Sequence, residues 1–160
     1  MAAARLDQTG VIVGCAACGR QNRLAFPALG RAVRCGQCKA PVAPPAVPLE
    51  APDPQAFDAA AAASALPLIV DFWAAWCGPC RMVAPEIERV AREAAGRYLV
   101  LKVDTDRLTD VAARFRIQSI PTLAVVYGGR EIDRVSGART AADILAFAER
   151  AVADSGRRAS

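Results

Sequence analysis

The sequence predicts an α/β domain, a central mixed sheet flanked by helices, preceded by a small four-cysteine zinc ribbon. Three observations carry this. Two Cys-x-x-Cys pairs, Cys15/Cys18 and Cys35/Cys38, fall within the first 40 residues. Six of the eleven prolines (Pro41, Pro44, Pro45, Pro48, Pro52 and Pro54) crowd the segment that follows. From about residue 53 onward, helical and strand-like periodicities alternate, the pattern of a sheet packed between helices. The expected division is a ribbon over residues 1–40, a Pro-rich linker over 41–52 and the α/β domain over 53–160.

Composition limits what the chain can do. At 160 residues, 54% hydrophobic and 22% charged, it buries a core and is not disordered. It has no histidine, which excludes a His general base, a Ser-His-Asp triad and His metal ligands. Any metal site must use cysteine or carboxylate. The net charge of +4 arises in the N-terminal part: Arg5, Arg20, Arg23, Arg31, Arg34 and Lys39 oppose Asp7 alone. Phe26 is the only aromatic there, so bases would find almost no stacking surface, and nucleic-acid binding ranks below a solvated basic face or a protein-docking face. The stretch from Ala59 to Ala75 is broken by Ser64, Pro67 and Asp71 and falls short of the roughly 20 apolar residues a membrane span needs. No apolar run of signal-peptide length follows the N-terminus. These features predict a cytoplasmic location without membrane attachment, where thiols stay reduced and six cysteines point to metal binding or redox catalysis. A monomer is the default expectation.

Within the ribbon, each Cys-x-x-Cys pair aims two sulfurs at one spot from a tight turn. Two such turns supply the four ligands of tetrahedral Zn2+. Gly19 and Gly36 offer permissive backbone for these turns, and residues 11–13 and 32–34 read as short strands leading into them. Forty residues with few large apolar side chains need such a staple, so one structural zinc held by Cys15, Cys18, Cys35 and Cys38 is expected. Two disulfide or redox pairs and Fe–S ligation are the alternatives.

In the second part, Asp53-Pro54 reads as a helix cap followed by Pro at the first helical position, opening a helix over residues 55–64. Leu68 to Trp73 is a near-continuous apolar run, typical of a strand buried on both faces. A helix is expected over 81–95, with Pro85 inside it and Gly96 as its stop. Further strands are expected at 98–104, 122–127 and 130–135, the last two joined by Gly128-Gly129 as a hairpin turn. A short helix lies between them around Leu108, Val111, Ala112 and Phe115. Thr140 with Asp143 resembles a capping box for a final helix buried through Ile144, Leu145, Phe147, Ala148 and Val152.

The third pair, Cys77-Gly78-Pro79-Cys80, has a different setting: it follows a buried strand and opens a helix. Peptide N–H groups and the helix dipole favour an anion there, so the Cys77 thiol is expected to ionise easily and attack disulfides. Cys80, one turn further in and expected to be more buried, resolves the mixed disulfide. Gly78 and Pro79 set the turn. Asp71, inside the apolar strand, is expected to have a raised pKa and to take the Cys80 proton through water. Lys102, mid-strand and one of two lysines, is expected to be its charge partner if the two strands are neighbours. A purely structural Asp71–Lys102 pair is the alternative.

The string Val70-Asp71-Phe72-Trp73-Ala74, then Trp76-Cys77-Gly78-Pro79-Cys80, with Ile120-Pro121-Thr122 downstream, resembles the thioredoxin family over residues 53–153. Asp71, Lys102, Pro85 and Gly137 fit the same pattern. With the ribbon added, the chain looks like the zinc-ribbon-bearing bacterial branch of that family, the thioredoxin 2 type. The resemblance implies a thioredoxin fold, a cis Pro121, and an apolar docking surface of Trp76, Gly78, Pro79, Ile120 and Gly137 that receives protein disulfide substrates. For Trp76, packing against the helix is an alternative. It also implies recycling by a thioredoxin reductase that brings its own flavin and NADPH, since the chain has no glycine-rich nucleotide motif. The family strand before the first helix could fall only at residues 46–49, an edge position that tolerates Pro48. A redox-controlled zinc-ribbon binding module and a holdase chaperone remain as competing functions.

Overall fold

The computed structural model describes residues 3–159; Met1, Ala2 and Ser160, at the outer bounds of the two expected domains, lie outside the described residues. The ribbon consists of a three-stranded antiparallel sheet, β1 (Arg5–Leu6), β2 (Gly10–Gly14) and β3 (Gln21–Ala25), and a two-stranded one, β4 (Val33–Arg34) and β5 (Pro41–Val42). Each Cys-x-x-Cys pair occupies the connection of a hairpin, Cys15/Cys18 between β2 and β3 and Cys35/Cys38 between β4 and β5. Sequence patterning marks residues 11–13 and 32–34 here. The other strands, short and poor in β-branched residues, carry no such signal.

The α/β part runs β6 (Leu49–Glu50), α1 (Pro54–Ala63), β7 (Leu68–Trp73), α2 (Gly78–Glu93), β8 (Leu99–Asp104), α3 (Thr109–Arg114), β9 (Thr122–Tyr127), β10 (Arg130–Ser136) and α4 (Ala141–Ala159). The sheet order is β10-β9-β7-β8-β6. Strands β6, β8 and β7 are parallel, and β9 and β10 run antiparallel. This is the expected mixed sheet between helices, a thioredoxin fold. The edge strand β6 falls at Leu49–Glu50, just after Pro48, where a missing N–H removes no ladder bond.

The local signals act as read. Asp53 Oδ1 accepts from the Ala56 N–H at 2.7 Å and caps α1. Gly128 and Gly129 turn the β9–β10 hairpin at φ 65° and 83°, which only glycine adopts without strain. Thr140 Oγ1 accepts from the Asp143 N–H at 3.2 Å at the start of α4. Helix α2 begins at Gly78, earlier than its apolar spacing indicates, because Cys77 is its cap.

Alternation along the strands assigns two faces. Leu68, Val70 and Phe72 of β7 join Leu99, Leu101 and Val103 of β8 in the core shared with α1. Ile69 and Val100 face Val83 and Ile87 of α2 and Ile144 and Ala148 of α4. The ribbon belongs to the first core: Leu6, Val11, Leu24, Phe26 and Leu29 cluster with Leu49, Phe57 and Leu68. Phe26 is 2% exposed, and its carbonyl accepts from the Ala65 N–H at 3.0 Å. Residues 41–52, expected as a Pro-rich linker, contribute a strand to each unit, and Val42, Leu49 and Ala51 are buried. Thus the ribbon adds its few apolar side chains to a core larger than its own.

Phe26→Ala is expected to cost about 3–5 kcal/mol, read as a lower urea midpoint for the far-UV signal of the whole chain. A separate early transition, with the main one unmoved, would contradict the shared core.

Candidate active site and candidate metal centre

Strand β7 delivers the chain to Trp73, and Ala74 to Trp76 turn it into α2. Cys77 stands at the N-cap, where the first-turn N–H groups lack intrahelical partners. The Cys80 N–H points at Cys77 Sγ at 3.1 Å. Cys77 and Cys80 are joined in a disulfide, with Cα atoms 5.2 Å apart. The expectation that Cys80 is the more buried of the two is corrected: they are 3% and 4% exposed, because Trp73 and Ile120 pack over both. Access distinguishes them instead. Cys77, and not Cys80, lines a groove of about 440 Å³.

That groove is walled by Trp76, Gly78, Pro79 and Ile120, as expected, and by Thr105, Ala112, Ile117, Gln118 and Ser119, which sequence reading missed. The missed residues come from the loop after β8, from α3 and from the loop after it, and carry no local motif. Trp76 is 67% exposed, and its Nε1 donates to Asp106 Oδ2 at 3.0 Å. It packs as a standing wall rather than into the core. The Ile120-Pro121 bond is cis, and the Ile120 carbonyl oxygen lies 3.8 Å from Cys77 Sγ. Pro121 and Gly137 lie outside the groove lining. The Gly137 N–H donates to the Pro121 carbonyl at 2.9 Å, with Gly137 at φ 94°, so it holds the loop that presents Ile120. A second apolar cavity, about 480 Å³, lies between ribbon and sheet beside Leu29, Val42 and Tyr98. Its wall carries no thiol and no carboxylate.

Asp71 is 1% exposed, and its Oδ1 has no hydrogen-bond partner. Burial pushes its carboxyl up to about 7, against an opposing pull from Lys102. Strands β7 and β8 are neighbours, and Asp71 and Lys102 are register partners. The expected ion pair between them is corrected, however. Lys102 Nζ lies 3.9 Å from Glu50 Oε1 and 4.5 Å from the Trp73 ring centroid. Glu50, at the end of a strand whose position the sequence only bracketed, is a site residue that sequence reading missed.

In the ribbon, the sulfurs of Cys15, Cys18, Cys35 and Cys38 lie within 4.8 Å of one another. The Cys15–Cys38 and Cys18–Cys35 contacts are 3.6 Å each. A tetrahedron with metal–sulfur bonds of about 2.3 Å has edges of about 3.8 Å, so the four sulfurs fit a tetrahedral thiophilic ion. The two turns are built alike: the Cys15 N–H bonds the Arg20 carbonyl and the Cys35 N–H the Ala40 carbonyl, both at 2.8 Å. Gly19 takes the left-handed backbone in the first turn, at φ 81°. In the second, Lys39 takes it, at φ 65°, which corrects the role given to Gly36. The Gly36 N–H donates instead to Asn22 Oδ1 at 2.9 Å, while Asn22 Nδ2 reaches the Arg20 carbonyl at 3.0 Å and Cys35 Sγ at 3.5 Å. Asn22 therefore ties one turn to the other. Backbone N–H groups of Cys38 and Gln37 hold the Cys35 thiol down at about 6, and those of Cys18 and Ala17 lower Cys15. Among the described residues these four cysteines form a cluster separate from Cys77 and Cys80.

Asp71 carries a prediction of its own. Its folded pKa stands above that of the unfolded chain, so it favours folding only while protonated. Its contribution is fully present below about pH 4 and is lost as pH rises through 7. Asp71→Asn is expected to leave stability nearly unchanged below pH 4 and to raise it by about 4 kcal/mol at most above pH 8. Urea denaturation of the oxidised protein at the two pH values measures this.

A family model described as Thioredoxin matches residues 48–150. Thioredoxin C-3 of Corynebacterium nephridii is 39% identical over 129 residues, 80% of this chain and 86% of that protein. Thioredoxin 1 of a Nostoc species is 51% identical over 75 residues, 47% of this chain and 70% of its own. Among solved structures, an N21Q mutant thioredoxin from Halobacterium salinarum superposes with a TM-score of 0.62 at 27% identity, covering 68% of this chain and 94% of that one.

Proposed function

The chain belongs to the thioredoxin family, and from that premise we propose that it is a thiol–disulfide oxidoreductase that reduces disulfides in other proteins through Cys77 and Cys80. One observation carries the reading: a Cys77–Cys80 disulfide at the start of α2, with Cys77 open to a groove and Cys80 behind it.

The reaction needs no group beyond this chain and its substrate. In the reduced protein, Cys77 ionises under the N–H groups of the first turn of α2. Its thiolate attacks one sulfur of a substrate disulfide. A mixed disulfide forms, and the other substrate sulfur leaves as a thiolate that takes a proton. Cys80 then gives its proton to the Asp71 carboxylate and attacks Cys77 Sγ. The Cys77–Cys80 disulfide closes, and the second substrate sulfur leaves as a thiolate that takes a proton, while Asp71 releases the one it received from Cys80. The substrate gains two electrons and two protons; the protein loses them. Trp76, Gly78, Pro79 and Ile120 hold the substrate chain beside Cys77, with Pro121 and Gly137 fixing the Ile120 loop.

Return to the dithiol is assigned to a thioredoxin reductase, which would carry the flavin and NADPH. One relative, named "Bifunctional thioredoxin reductase/thioredoxin", from Mycobacterium leprae, is 44% identical over 79 residues. We further assign one structural zinc to Cys15, Cys18, Cys35 and Cys38, as in the thioredoxin 2 type. Zinc there supplies no chemistry to the exchange. It ties the two turns together and lends the ribbon the cohesion that its side chains lack. A cytoplasmic, monomeric protein is part of this reading. No helix among the described residues is long and apolar enough to cross a membrane.

Two experiments test it. In an insulin-reduction turbidity assay, Cys77→Ser is expected to lower the rate at least about 100-fold, and Cys80→Ser to accumulate a covalent adduct with substrate. Activity that survives Cys77→Ser would overturn the mechanism. Elemental analysis is expected to find one zinc per chain, with only two thiols lost on mild oxidation. Chelation is expected to lower the melting temperature of the whole chain. An unchanged melting curve after proven metal loss would mean that the metal stabilises nothing.

A further inference from the structure

Asp71, Lys102 and Glu50 stand at one level of three adjacent parallel strands. Asp71 of β7 is the register partner of Lys102 of β8, and Lys102 that of Glu50 of β6. Their sequence neighbours Val70, Leu101 and Leu49 belong to the core on the α1 side. The three charged side chains therefore share the opposite face, the one α2 covers. The row begins at the sheet centre, where Asp71 is 1% exposed, and ends on the edge strand, where the Glu50 side chain is 45% exposed.

This row holds two acids and one base. The ammonium of Lys102 is engaged from the edge by Glu50 Oε1 at 3.9 Å and from the face of the Trp73 ring at 4.5 Å. Asp71 Oδ1, by contrast, has no hydrogen-bond partner. We propose that Glu50 is a positioning residue for disulfide exchange: by engaging Lys102 at the sheet edge it withholds the ammonium from Asp71, so that the buried carboxylate stays basic enough to take the proton that Cys80 must give up.

The surroundings leave few other charges to do this. Beyond burial itself, Lys102 lowers the Asp71 pKa and Glu50 raises it. Burial raises the Glu50 carboxyl and Asp104 of β8 adds to this, while Lys102, the Trp73 indole and Arg107 oppose it. The buried residues of α2 (Cys80, Val83, Ile87, Val90 and Ala91) bring no charge. Strand β1, which packs against β6, brings only Arg5, whose Nη1 donates to Gln21 Oε1 at 3.0 Å.

The inference rests on Asp71 as the proton acceptor for Cys80, and the test separates the two. Glu50→Gln keeps the shape and removes the charge. The Asp71 carboxyl is titrated by carbon NMR in the oxidised, full-length protein, its signal assigned by its absence in Asp71→Asn. Glu50→Gln is expected to lower the titration midpoint by about half a pH unit or more, and the acid limb of the insulin-reduction profile is expected to move with it. Glu50→Asp is expected to keep most of the wild-type value. In a Lys102→Met background the same Glu50→Gln change is expected to shift the midpoint less, because the ammonium it would release is gone. A midpoint that stays or rises in Glu50→Gln, or a shift undiminished without Lys102, overturns the proposal. A wild-type pH profile that ignores the Asp71 titration overturns the proton-acceptor role instead, whatever Glu50 does to the midpoint.

Discussion

The first turn of α2 cannot bond its own N–H groups, and the active site is organised around that fact. Those donors need an acceptor, and the side chain at the cap is a sulfur. A thiolate at Cys77 serves the helix as a cap and serves the substrate as a nucleophile, so folding and reactivity favour the same ionised group. Everything nearby keeps the arrangement in place. The buried strand β7 sets where the turn begins, Pro79 fixes the backbone entering the helix, and Ile120 closes the far side of the groove. Replacing the sulfur by a hydroxyl would keep the cap and lose the chemistry.

The ribbon meets a different constraint. Its strands are two to five residues long, too short to bury a face by themselves. It solves this twice, by gathering four sulfurs at one point and by placing Phe26, Leu24 and Leu29 in the core of the larger unit. Burial of Phe26 also removes the ribbon's one aromatic from its surface, so the basic side chains there lack the stacking partner that single-stranded nucleic acid would require. The core crosses from ribbon to sheet, so a change at the four-sulfur cluster reaches the α/β part, although the Cys77–Cys80 pair lies outside that cluster.

Much of this was legible in the sequence because it depends on local chemistry. Asp53-Pro54 predicts the start of α1, Gly128-Gly129 the hairpin, and the three Cys-x-x-Cys pairs sort into a four-sulfur cluster and one disulfide couple by what flanks them. The rest depends on registers and distances that no local pattern encodes. Mid-strand positions predict Lys102 as the partner of Asp71. The strands do align, yet a third strand of only two residues, β6, places Glu50 within reach of the same ammonium. Lys39 rather than Gly36 adopts the left-handed backbone because the turn places that conformation one residue after its second cysteine, as at Gly19. The far wall of the groove, from Thr105 to Ser119, is assembled from segments that meet only in the folded chain.

Two carboxylates around one ammonium make a proton store rather than a closed ion pair. With both acids ionised the row carries one negative charge in excess, and the more buried site is where that excess is most costly, since water cannot reach Asp71 to solvate it. The proton therefore resides at the centre of the sheet and the free charge at its edge. Resolution of the mixed disulfide releases a proton from Cys80 at the centre, not at the edge. A buried acid that titrates near neutrality can accept that proton and release it again, whereas a carboxyl held firmly by its own lysine would stay ionised throughout and exchange nothing.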